Sequence, residues 1–224
     1  MVGQPYPVIK GDDWMRDPAT NKIIVDKNTG YPTINPTPQN FGTSNPPTKI
    51  GLNTSFSYKG FTVSAVADGR IGAVILNNIG PSLDFTGVSA YSAQSGRQSF
   101  VLPNSVYFDG AKYVPNTNIN VKDGNIGFWV NTWPQAESNY INSADFWKLR
   151  EVSFGYAMPK KLLNGFIKGV SMQITGRNLF TKRAKENVWS DPEFANTTGN
   201  GTGTTDINQL PPTKFVAFSL NLTF

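Results

Sequence analysis

Apolar side chains recur at every second residue in several separate stretches of this chain, the period of a β-strand with one apolar face. Ile50, Leu52, Phe56 and Tyr58 fall on one side of such a strand together with Thr54, while Lys49, Gly51, Asn53, Ser55 and Ser57 fall on the other. After Lys59-Gly60, which reads as a turn, Phe61, Val63, Ala65 and Ala67 repeat the pattern. Val152, Phe154, Tyr156 and Met158 alternate with Ser153, Gly155 and Ala157, and Val170, Met172 and Ile174 alternate with Ser171, Gln173, Thr175 and Arg177. The last stretch is the most regular: Val216, Phe218, Leu220, Leu222 and Phe224 face one way, and Ala217, Ser219, Asn221 and Thr223 the other. Each stretch is about 9 to 11 residues, the length a tilted strand needs to cross the hydrocarbon layer.

The links between these strands alternate in length. Going backwards from residue 224, a long link (about 181 to 213) is followed by a short one (159 to 169), a very long one (about 71 to 145) and the minimal turn at Lys59-Gly60. The segment 11 to 47 is a further long one. Antiparallel neighbours put successive links at opposite ends, so the long links fall on one side and the short ones on the other. This predicts an all-β, antiparallel transmembrane β-barrel segment with short periplasmic turns and long extracellular loops. A soluble β-sandwich would alternate too, but has no reason to sort its links by length. The stretch 71 to 145 is too long for a plain loop, and Asp109-Gly110 predicts a hairpin within Tyr107–Tyr113.

Composition narrows the picture by exclusion. Cys and His are both absent, which removes thiolate and imidazole ligands, a Cys nucleophile and the usual general base of a hydrolytic triad. No catalytic residue, metal site or cofactor is expected. Zero cysteines identify no compartment, because a barrel closed by its own hydrogen-bond ladder needs no disulfide. The net charge of +5 is spread without a block of like charges, so no nucleic-acid partner is implied, and Lys182, Arg183 and Lys185 read as a solvated loop. No apolar run of about 18 residues marks a transmembrane helix. Met1-Val2-Gly3-Gln4-Pro5 lacks the pattern of a signal peptide, and an export signal is expected upstream.

Candidate ligand contacts lie in the links. Trp129, Trp133 and Tyr140, with Trp147 beyond them, would offer ring faces to a sugar; loop packing or an interfacial aromatic girdle is the competing expectation, strongest at Trp147. Asp12, Asp13 and Asp17, or Asp191, Glu193 and Asp206, would supply oxygens to calcium, although neither set has the spacing of a calcium loop and solvated carboxylates are favoured. Arg150, Glu151 and Arg177 would sit on the polar strand face, paired across strands or touching a plug or substrate. The Asn-X-Ser/Thr tripeptides at Asn53, Asn200 and Asn221 read as chance matches.

Several segments resemble the C-terminal barrel region of the SusC/RagA family of TonB-dependent receptors. They are Tyr58-Lys59-Gly60-Phe61, the run from Phe146-Trp147-Lys148-Leu149-Arg150-Glu151 to Met158-Pro159, Gly176-Arg177-Asn178-Leu179-Phe180-Thr181, Asp191-Pro192-Glu193 and Phe218-Ser219-Leu220-Asn221-Leu222-Thr223-Phe224. The resemblance implies that residues 1–224 form about five or six strands of a plugged barrel of about 22 strands. It implies nutrient import, of oligosaccharides or peptides, together with a SusD-like surface lipoprotein. The plug domain, TonB box and signal peptide are expected outside this sequence, with the TonB complex engaged through that missing N-terminal part. The terminal strand is expected to meet the barrel-assembly machinery. Phe218, Leu220, Leu222 and Phe224 are expected to face outer-membrane lipid, and Arg177 and Asn221 the lumen. The alternatives are a soluble all-β surface module that binds carbohydrate, or a nonfunctional fragment. On the membrane reading the first strand here, at Thr48 to Tyr58 or the short Tyr6 to Lys10 piece, needs an upstream partner strand, and the chain alone is expected to aggregate.

Overall fold

The computed structural model describes residues 3–163, 165–195, 199–205, 207 and 212–224. The chain divides into two compact units. One comprises Pro46–Ala73, Ala144–Lys185 and Leu210–Phe224, and its substance is a five-stranded sheet. Its strands are β1 (Thr48–Tyr58), β2 (Phe61–Ile71), β3 (Phe146–Ala157), β4 (Gly169–Arg183) and β5 (Phe215–Thr223), every pair antiparallel, in the order β5-β4-β3-β2-β1. Among the described residues the sheet is open, with β1 and β5 as its edges, and does not close into a barrel.

The turn at Lys59-Gly60 joins β1 to β2 with both residues at positive φ. Gly60 is required there, because a Cβ would stand 2.5 Å from the Ala157 carbonyl oxygen. The alternating stretches all lie in this sheet, but two strands run further than alternation indicates. β3 begins at Phe146 and β4 continues to Arg183. Lys182 and Arg183 therefore lie on a strand, paired with Trp147 and Phe146, and the solvated-loop expectation is corrected.

The other unit comprises Met1–Asn45, Val74–Ser143 and Glu186–Gln209, the long links of the sequence pattern. These segments are folded rather than loose. Val25, Leu102, Val121, Phe128 and Trp129 form a buried cluster, joined by Ile23, Tyr31, Phe100, Tyr107 and Trp133 at its margin. Short strands tie the segments together: Val8–Gly11 with Gln39–Thr43, Ile23–Ile24 with Ser105–Phe108, and Val74–Leu76 with Ile141–Ser143. Val8–Gly11 thus belongs to this unit, not to the five-stranded sheet, which removes it as a candidate first barrel strand. The expected hairpin is present, Ser105–Phe108 pairing with Tyr113–Pro115. Asp109 Oδ1 accepts from the Ala111 and Lys112 amides and fixes its turn.

Helix enters a chain read as purely β. α1 (Ile79–Thr86) ends at Gly87 in the left-handed region, and α2 (Ala90–Ala93) is capped by Ser89, whose hydroxyl accepts from the Ser92 amide. No helix among the described residues is long and apolar enough to cross a membrane, a fact that carries no weight for proteins that cross with strands.

Candidate functional site: the two faces of the five-stranded sheet

The register of the sheet sorts its side chains into rows that run across all five strands. Phe56, Val63, Phe154, Ile174 and Phe218 are consecutive cross-strand partners, and Tyr58, Phe61, Tyr156, Met172 and Leu220 form the next apolar row. Between them on the opposite face runs a row of Ser57, Thr62, Gly155, Gln173 and Ser219. Alternate residues of a strand point to opposite faces, so one face is built of large apolar side chains and the other of small polar ones.

Exposure inverts the order normal for a protein in water. Phe56 is 70% exposed, Phe154 52% and Phe218 64%, whereas Ser153, on the polar face, is 4% exposed. The Ser153 hydroxyl shares a 2.6 Å hydrogen bond with that of Ser64, its direct partner on β2. A shallow apolar depression of about 230 Å³ lies among Phe61, Phe154, Tyr156, Met172, Ile174 and Phe218. An exposed apolar patch of this continuity marks a surface made for apolar surroundings. Phe218, Leu220 and Leu222 are all on this face, and Phe224 continues their alternation.

The polar face carries the charges. β3 holds one residue, Arg150, with no counterpart on β2 between Leu149 and Glu151, a bulge that aims its guanidinium at Asp68. Arg150 Nη2 donates to Asp68 Oδ2 at 2.8 Å and Nε donates to Oδ1. Arg177 Nε donates to Glu151 Oε2 at 2.8 Å, and the two residues are direct cross-strand partners. Cross-strand pairing is therefore where Arg150, Glu151 and Arg177 go. Asn221, paired with Ser171, lines a polar hollow of about 270 Å³ with Thr62, Ser153 and Gln173.

Trp147 is on the apolar face, its ring lying across Gly69 of β2. The other aromatic candidates are elsewhere. Trp129 and Tyr140 are 5% and 1% exposed in the helical and linking unit, and Trp133 stacks on both Phe128 and Trp14. Their faces are occupied by neighbouring rings, so stacking on a sugar has no open surface at Trp129 or Tyr140; the packing alternative describes what they do. The hydroxyl of Tyr140 donates at 2.7 Å to Asp84, a carboxylate without exposure that also accepts from Ser89. Burial pushes the Asp84 carboxyl above its ordinary value, against the pull of those hydrogen bonds and of Arg97. Burial and the adjacent carboxylate push the Tyr140 phenol upward as well.

The acidic candidates serve their own turns. Asp13 accepts from the Trp14 amide and pairs with Arg16, Asp17 accepts from the Ala19 amide and the Thr20 hydroxyl, and Asp191 accepts from the Glu193 amide. Asp206 lies outside the described residues, as does the side chain of Asn200. Asn53 and Asn221 lie within strands. Among the described residues no three carboxylates converge as a metal site would require.

The fold defines a mostly antiparallel β protein whose principal sheet is apolar on an exposed face. Known proteins give this class two likenesses. TonB-dependent receptor P39 of Formosa agariphila is 27% identical over 150 residues, a match that covers 65% of this chain and 13% of that protein. Among solved structures, the RagAB peptide importer in its closed-closed state superposes with a TM-score of 0.59 at 19% identity, covering 96% of this chain and 23% of the other. Its open-open state gives 0.59 at 18% identity, covering 96% and 22%. No family model matches. The sequence match is to a TonB-dependent receptor and the solved structures share the fold; this chain spans less than a quarter of the length of either kind of relative.

Proposed function

We propose that this chain is part of the barrel wall of an outer-membrane TonB-dependent transporter that imports oligosaccharides or peptides with a SusD-like lipoprotein. The observation that carries the reading is the row Phe56, Val63, Phe154, Ile174 and Phe218, large apolar side chains left exposed across five adjacent strands. In water such a face would be an aggregation surface; against acyl chains it is satisfied. Phe218, Leu220, Leu222 and Phe224 then meet lipid, and Arg177 and Asn221 face the lumen. The long links are read as extracellular loops, and the TonB complex acts through parts of the transporter beyond this chain. The likeness to the RagAB peptide importer supports peptides as one cargo class. The role is transport without catalysis, and hydrolysis of any glycan or peptide by the purified protein would contradict it.

The test is uptake by cells. Deleting the gene that encodes this chain is expected to abolish accumulation of a labelled oligosaccharide or peptide, with restoration by the gene only while the proton-motive force is intact. Uptake that persists in the deletion strain across both cargo classes would remove the transport reading.

A further inference from the structure

The turn end of the sheet, where β1 meets β2 and β3 meets β4, carries a charge pattern of its own. The link between β3 and β4 contains Lys160, Lys161 and Lys168, and Lys59 stands in the neighbouring turn. No Asp or Glu occurs from Val152 to Lys185, in β1, or in β5. Asp68 and Glu151 lie farther along β2 and β3 from the turns, each engaged with an arginine. The turn end is therefore rich in lysine, with no acidic side chain on β1, on β5 or from Val152 to Lys185.

Among these lysines the link exposes apolar side chains. Leu162 is 61% exposed and Phe166 77%. Lys160–Leu162 forms a single 3-10 turn, and the Lys168 amide donates at 2.7 Å to the Thr223 carbonyl, which ties the link to β5. The Phe166 ring lies 5.1 Å from that of Phe224. Phe224 continues the alternation of Phe218, Leu220 and Leu222, so the apolar face runs without a break from the sheet into the link.

We propose that this link is a docking surface for anionic phospholipid headgroups. Leu162, Phe166 and Phe224 enter the edge of the hydrocarbon, and Lys160, Lys161 and Lys168 reach the phosphodiesters above it. Lysine suits the place because its methylene stem lies along apolar surface while its ammonium stays at the headgroup level. Clustered lysines beside a membrane-inserted apolar surface are drawn to anionic lipid, and salt screens the attraction. Two features select this occupant: continuity with the apolar face, and a cluster of lysines with no acidic side chain on the same strand ends. The proposal rests on the membrane placement of that face.

The experiment uses the longest natural chain containing this sequence, inserted in lipid nanodiscs of phosphatidylcholine alone or of phosphatidylcholine mixed with phosphatidylglycerol. The expected result is a higher unfolding midpoint in the mixed discs, lost in a K160Q/K161Q/K168Q variant and reduced at high salt. A K27Q/K112Q/K185Q control removes equal charge elsewhere and is expected to keep the increment. Equal midpoints in the two lipids, or loss of the increment in the control as well, would overturn the proposal. Soluble glycerol phosphate is expected to have no effect; an equal increment from it would mean a free-phosphate site instead of a lipid surface. If the triple variant does not assemble, the single variants K160Q, K161Q and K168Q decide, each expected to lose part of the increment. Flotation with vesicles is read separately: a protein that floats but ignores lipid charge refutes this inference alone, whereas one that never floats refutes the membrane placement.

Discussion

The indole of Trp147 lies flat over Gly69, its direct partner across β2 and β3, so close that a Cβ on Gly69 would stand 2.7 Å from the ring. The glycine makes room for the largest side chain on the apolar face. Gly69→Ala is expected to tilt the indole away and to cost about 1 to 3 kcal/mol, as overpacking does. A fall in the unfolding midpoint with a shifted tryptophan emission would show it; an unchanged midpoint would mean that the ring is not held there.

The two arginine pairs of the polar face differ in shelter. Asp68 and Arg150 are each about a quarter exposed and bonded through two nitrogens, whereas Arg177 is 59% exposed. Removing the sheltered acceptor with Asp68→Ala is expected to cost about 1 to 3 kcal/mol, and Arg177→Ala no more than about 1 kcal/mol. Denaturant midpoints of the two variants check the order, and the reverse order would contradict it.

Much of the sheet is legible in the sequence. Alternation places residues of all five strands because each has one predominantly apolar face, and the length of the links separates the two ends. The first half of β3 is hidden because the bulge at Arg150 shifts its alternation by one residue, so Trp147 and Val152 share a face at an odd spacing. Beyond Arg177 the pairing of β4 slips in the same way, with Asn178 at positive φ. The folded links are less legible. Their core gathers Val25, Leu102, Val121 and Phe128 from distant, turn-rich segments with no period to join them. For the same reason the sequence leaves Trp129 and Tyr140 between loop packing and ring faces for a sugar, and their burial places them in packing. The one signal of that role in the sequence is their clustering with Phe128 and Trp133.

Asp84 gives the unit of folded links a pH dependence. Its carboxyl is raised by burial, so the folded state holds a proton more tightly than the unfolded chain. Its contribution is therefore present below the unfolded value and is lost as the pH rises through the folded one. Asp13, Asp17, Asp26, Asp109 and Asp123 are lowered and act in the opposite sense. Comparison with Asp84→Asn cancels them. Wild type is expected to gain stability relative to the variant on acidification from neutral pH, read from fluorescence of Trp189, whose ring lies 5.6 Å from Tyr140. A difference that stays flat with pH would exclude the mechanism.

Substitution with arginine separates the faces energetically. Phe218→Arg, one row farther from the turn end than Leu220, is expected to cost up to about 2 to 4 kcal/mol, and Asn221→Arg much less. Refolding into vesicles against urea measures both, and equal tolerance would count against the assignment of lipid and lumen sides.

Contact between the apolar face and lipid is read most directly with spin labels, for which this cysteine-free sequence leaves β5 open to single labelling. Phe218→Cys and Ser219→Cys each place one thiol in this chain, on adjacent residues of β5 and on opposite faces of the sheet, with any cysteine elsewhere in the natural protein replaced by serine. Spin labels at the two sites, in the natural protein inserted in a bilayer, are compared for collision with oxygen, which concentrates in lipid, and with a water-soluble nickel chelate. The label at 218 is expected to meet oxygen and to be shielded from nickel, and the label at 219 to show the reverse; nickel reaching 218 as freely as 219 would contradict contact of this face with lipid.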